Sequence, residues 1–105
     1  MNVRIPSELK QYAHENQYPY VLVETDKGDT ILFAEKAETH MALFLKLTGE
    51  FGWDNIHQLG GGYIRIEESQ IVVFGYSQHF GGANKQRVAQ MIRESQPKMQ
   101  VVVEE

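Results

Sequence analysis

Ile71-Val72-Val73-Phe74-Gly75-Tyr76-Ser77-Gln78-His79-Phe80-Gly81-Gly82-Ala83-Asn84 is the stretch that decides the fold. Its first four residues are β-branched or aromatic and read as a strand. Three glycines then interrupt any regular element over residues 75–82. Asn84 follows as a helix-capping residue, with Val88, Met91 and Ile92 behind it at helical spacing, so a helix is predicted over 84–95. Pro97 stops that helix, and Met99 to Val103 reads as a last strand. A helix set between strands in this way has to bury its apolar stripe against a sheet.

Working outward, Tyr63 to Ile66 reads as a strand that pairs with Ile71 to Phe74 around the turn Glu67-Glu68-Ser69-Gln70. Asn55 to Leu59 reads as a further strand ending at the triple glycine Gly60-Gly61-Gly62. Before it, Thr39 caps a helix running to about Gly49. Leu43, Phe44 and Leu47 share one face of that helix, and Phe51 extends it. Tyr18 to Thr25 and Thr30 to Ala34 form a hairpin about Asp26-Lys27-Gly28-Asp29. Near the start, Ser7 opens a short capped helix through Ala13. Trp53 and the phenylalanines read as core. The expected architecture is α/β (α+β-like). It has a mixed sheet of about six strands flanked by two main helices, in one domain spanning residues 1–105.

Composition narrows the function. At 105 residues the chain is long enough for one core and too short for two. A formal charge of −4 argues against broad nucleic-acid binding, which needs a basic surface. No cysteine is present, so disulfides and cysteine-based zinc sites are excluded. The four histidines lack metal-ligand spacing, and neither GxGxxG nor a P-loop occurs, so no metal or cofactor is expected. Without an apolar run of membrane-spanning length or a signal-peptide core, no membrane association is expected and the expected compartment is the cytoplasm. Oligomeric state is not legible.

The net charge hides an asymmetry. From Ser69 to Arg93 there is no acidic residue, while His79, Lys85, Arg87 and Arg93 lie inside that window. It also holds the glycine loop and a helix N-terminus, whose free N–H groups and macrodipole suit an anion. Ser77 adds a hydroxyl donor. Lys85 falls at i−3 to Val88 and i−7 to Ile92, on the inward face at the mouth of the helix. The same features equally fit a loop whose glycines only turn the chain. His40 lies in the first turn of the other helix, on the face of Leu43 and Phe44. The macrodipole opposes positive charge there, and a general base must offer a neutral ring nitrogen. A histidine in that place also serves simply to cover the rim of a core.

Leu59-Gly60-Gly61-Gly62, Val73-Phe74-Gly75-Tyr76-Ser77, Gly81 and Pro97, in that order, resemble the janus/ocnus family, which includes a small phosphohistidine phosphatase. Tyr20-Val21-Leu22-Val23 is similar to a strand of that family, so the resemblance spans residues 18–103. It implies that His40 acts as general base toward a water attacking a phosphoryl group. It further implies that Ser77, Gln78 and His79 bind phosphate through hydroxyl and backbone N–H groups. The family pattern has a lysine where this chain has Pro19 and an arginine where it has Tyr63. Each such cation contributes about 1.5–3 kcal/mol through a charged hydrogen bond. Arg65, two residues along the strand from Tyr63, shares its face and stands as a substitute, with Lys85 and His79 as the others.

The expected function is therefore hydrolysis of a phosphoramidate N–P bond on a phosphorylated protein or small molecule. The alternative is a non-catalytic module that binds a phosphorylated or acidic partner. An assembly protein using an exposed sheet edge is a third reading.

Overall fold

Strand β2 (Gln17–Thr25) is the axis of the molecule, and its sequence explains why. Apolar side chains occupy both of its faces, the signature of a strand covered on each side. Tyr18, Tyr20 and Leu22 join one core, and Val21 and Val23 join the other. The computed structural model describes residues 2–6 and 17–104. The helix expected over Ser7 to Ala13 lies outside the described residues.

In chain order the other elements are β1 (Val3–Arg4), β3 (Thr30–Ala34), α1 (His40–Phe51), a single 3-10 turn at Trp53–Asn55, β4 (Ile56–Ile66), β5 (Gln70–Phe74), α2 (Lys85–Ser95) and β6 (Gln100–Val103). They build one α+β domain around a six-stranded mixed sheet of order β1-β3-β2-β4-β5-β6, with one helix on each face. The β2–β3 hairpin closes where Thr25 accepts from Gly28 N at 3.0 Å and Gly28 adopts φ 89°. Strands β1–β3 and β5–β6 pair in parallel, and the rest antiparallel. The parallel β5–β6 pair is joined through α2, as a parallel pair requires.

Helix α1 covers one face with Leu43 and Leu47, and α2 covers the other with Val88, Ala89 and Ile92. Each large aliphatic buried in this way stabilises the fold by about 1.5–3 kcal/mol. Among the described residues, no helix is long and apolar enough to cross a membrane.

Two sequence expectations change, and one strand comes in addition. The strand expected to end at the triple glycine runs through it, because β4 is continuous from Ile56 to Ile66. Crowding keeps those positions free of side chains: a Cβ on Gly60 would lie 2.7 Å from Ala83 N, and one on Gly62 2.7 Å from the Tyr20 hydroxyl. Trp53, expected in the core, is 64% exposed. It sits on the 3-10 turn beyond α1, where the Phe44 ring meets it edge-on at 6.0 Å. Strand β1 was not expected, being only two residues long. It is held by the ladder to β3 and by an Arg4–Glu50 ion pair at 2.8 Å.

Candidate functional site

The first residue of α1 is a buried, hydrogen-bonded histidine. Thr39 caps the helix, its Oγ1 accepting from Ala42 N at 3.1 Å, and this sets the start of the helix at His40. The His40 ring is buried against β4, and its Nε2 lies 2.8 Å from the Gly62 carbonyl oxygen. A carbonyl only accepts, so Nε2 carries the proton and Nδ1 holds the free lone pair of the neutral ring. Tyr63 meets the imidazole edge-on at 4.9 Å, and its own ring stacks on Phe74 at 5.7 Å. Gly75 makes room for that stack: a Cβ there would lie 2.9 Å from Tyr63 Cδ2.

Gly61 is where the two halves of the site meet. A Cβ on it would fall 2.7 Å from the Tyr20 carbonyl oxygen, 3.0 Å from His40 Cδ2 and 3.1 Å from Ser77 Cβ. The bare backbone lets His40 and Ser77 pack on the same residue. Its carbonyl accepts from Ser77 N at 3.1 Å, and its N–H donates to Gly81 O at 3.0 Å. Ser77 then folds its own loop, with Oγ accepting from Phe80 N at 3.0 Å and its carbonyl from Gly81 N at 2.8 Å. Between those bonded positions, the N–H groups of Gln78 and His79 have no hydrogen-bond partner among the described residues. Adjacent free N–H groups at such a turn form an anion-binding concavity.

A cleft of about 850 Å³ opens between the start of α1 and this loop. His40, Gln78 and His79 line it together with Glu38, Thr39, Met41, Tyr63, Phe74, Gly75 and Tyr76. Of the residues singled out from sequence, the fold thus brings His40, Gln78 and His79 to one cavity. Ser77 supports it from behind: it is buried, touches the His40 residue's packing partner Gly61, and is not on the cleft wall.

Arg65 and Lys85 are not brought there. Arg65 shares the Tyr63 face as expected and lies over the Phe74 ring at 5.5 Å, but its guanidinium is engaged by Glu67 at 2.9 Å and Glu104 at 3.6 Å. The hydrogen bond to Glu67 raises its pKa above the usual range, while Gln70 and then Arg65 hold the Glu67 carboxyl below its own. Lys85 opens α2 partly exposed and lies outside the lining. Among the described residues, no lysine or arginine lines the cleft.

Sequence reasoning missed Glu38, Met41 and the aromatic wall of Tyr63, Phe74 and Tyr76. Only the aromatic content of the flanks around the glycines hinted at that wall. Among the described residues, no group of three or more histidine or acidic side chains is placed to hold a metal ion.

The family model described as the Janus/Ocnus family (Ocnus) matches residues 9–100. No curated protein matches the chain.

Proposed function

We propose, on the premise that this chain belongs to the Janus/Ocnus family, that it hydrolyses an N–P bond in a phosphorylated protein or small phosphoramidate. The observation that carries this reading is the fixed tautomer of His40, whose Nε2–H is committed to the Gly62 carbonyl 2.8 Å away. Nδ1 is then the ring atom available to take a proton from a water that attacks phosphorus. The free N–H groups of Gln78 and His79 receive the phosphoryl oxygens, and they gain strength as negative charge builds up in the transition state. Ser77 keeps the loop in shape from behind the cleft, its buried Oγ accepting from Phe80 N.

The test is release of phosphate from a phosphohistidine peptide. Wild type turns over, and His40→Ala is slower by about 10²–10⁴-fold, the usual share of a general base. Equal inertness of the two proteins overturns the hydrolytic reading.

Among the described residues no lysine or arginine stands on the cleft wall, which favours a second reading, a module that binds a phosphorylated partner without turnover. Such a wall offers little fixed positive charge to a transition state. Amide shifts confined to Ser77, Gln78 and His79 on phosphate titration, with no hydrolysis of any N–P substrate, support it. No shift in that loop removes both readings.

A further inference from the structure

Hydrolysis of an N–P bond leaves a nitrogen that departs poorly unless it gains a proton, and His40 does not supply one. Its Nε2 proton is held by Gly62 and its Nδ1 is the accepting atom in the reading above. Among the described residues, the ionisable ones that line the cleft are Glu38, His40, Tyr63, Tyr76 and His79, with no lysine or arginine. Of these residue types only histidine exchanges a proton around neutrality, which leaves His79.

The placement of His79 suits that task. It comes from the loop after β5, whereas His40 comes from α1, so the two imidazoles approach the cleft from different elements. Its ring has no hydrogen bond among the described residues and is exposed, so a proton given up is regained from solvent. The ring is nonetheless anchored. Phe80 meets it edge-on at 4.9 Å, and Phe80 in turn meets Phe44 of α1 at 5.4 Å. Thus the helix that carries His40 also steadies the residue next to His79.

We infer that His79 is a second catalytic histidine, the general acid that protonates the leaving nitrogen; this role rests on the proposed hydrolysis. In the step, water loses a proton to His40 Nδ1 and its oxygen bonds to phosphorus. The P–N bond breaks with its electron pair going to the leaving group. The leaving group takes a proton from the His79 imidazolium, at the released nitrogen or at the second ring nitrogen of an imidazole. Inorganic phosphate and a neutral amine or imidazole result. His40 has gained one proton and His79 has lost one, so exchange with water resets both. The backbone N–H of His79 still holds the phosphoryl oxygens, independently of its side chain.

Two probes separate acid catalysis from binding. Phosphoimidazole needs a proton for its leaving group, whereas 1-phospho-3-methylimidazolium releases neutral N-methylimidazole without one. His79→Gln, which keeps the backbone N–H, is expected to lower kcat/KM for phosphoimidazole about a hundredfold and leave the methylated probe within twofold. His79→Ala should behave alike, with added imidazole restoring part of the phosphoimidazole rate. An equal loss on both probes means that the side chain only binds, and no loss on either means that it is idle; both overturn the acid role. Wild type inert on both probes is a different result, which removes the hydrolytic reading and this role with it.

Discussion

The two sides of the sheet begin with the same device and end with different chemistry. Each helix is capped by a side chain, Thr39 Oγ1 accepting from Ala42 N and Asn84 Oδ1 from Arg87 N, both at 3.1 Å. Neither helix has an acid in its first turn. By macrodipole and cap alone the two N-termini are equivalent anion sites. In the first turn of α2, by contrast, Arg87 donates to Thr30 Oγ1 at 2.6 Å, and that turn does not line the cleft. The first turn of α1 meets the triple glycine, which admits His40 and the Ser77 loop together. On the far side of those glycines lies the Tyr20 phenol, buried with its hydroxyl unpartnered among the described residues. A helix N-terminus becomes a site only when a second wall is brought to it.

The largest effect sought is in the rates. His40→Ala should slow phosphate release by about 10²–10⁴-fold, while Lys85→Ala, at the equivalent place on α2, stays within about twofold. A large loss in Lys85→Ala would break the contrast between the two N-termini. Next comes the meeting point. Gly61→Ala forces a methyl group against the Tyr20 carbonyl and the His40 and Ser77 side chains, at a cost of about 1–3 kcal/mol, read as a lower urea midpoint. Gly49→Ala, with nothing within 4 Å, should instead gain about 0.5–1 kcal/mol.

The caps sharpen the same point at smaller scale. Thr39→Ala and Asn84→Ala each cost about 1 kcal/mol in thermal or urea unfolding. Only the first should also reduce hydrolysis, since it loosens the turn that holds His40. At neutral pH the smallest effect belongs to Tyr20, whose hydroxyl is pushed up from 10.0 to about 12 by burial. Below the unfolded value both states keep the proton, and its contribution to stability is complete. As pH rises from 10.0 through about 12, the unfolded chain ionises first and that stability is lost. Tyr20→Phe removes this dependence, so the alkaline unfolding midpoint, followed by circular dichroism, moves to higher pH.

Much of the fold was legible because its signals are local. The β2–β3 hairpin, the Thr39 and Asn84 caps, and the strand, loop, helix and strand from Ile71 to Val103 all follow from turn chemistry and periodicity. The course of β4 through Gly60 to Gly62 was not, because glycine reads locally as a break. Its reason lies in partners far along the chain: Tyr20, His40, Ser77 and Ala83. His40 was legible as a candidate from its place beside Thr39, but its carbonyl partner Gly62 was not. Ser77 was legible as a loop residue, though burial moved it behind the cleft. For Lys85 and Arg65, charge and spacing placed the residues and not their long side chains. Arg65 is engaged by Glu67 and Glu104.

The pairing of β2 with β4 sets Val21 beside Gly61 and Tyr20 beside Gly62, with a hairpin, a helix and a turn lying between them in sequence. Closing so long a loop costs chain entropy before its contacts return any stability, so this central pair forms late relative to the β2–β3 hairpin and α1. The His40–Gly62 and Ser77–Gly61 hydrogen bonds exist only after that closure. A half-folded chain can therefore hold a native hairpin and a native α1 while having no cleft of any kind. The site is thus a product of the long-range β2–β4 pairing and of no local segment by itself.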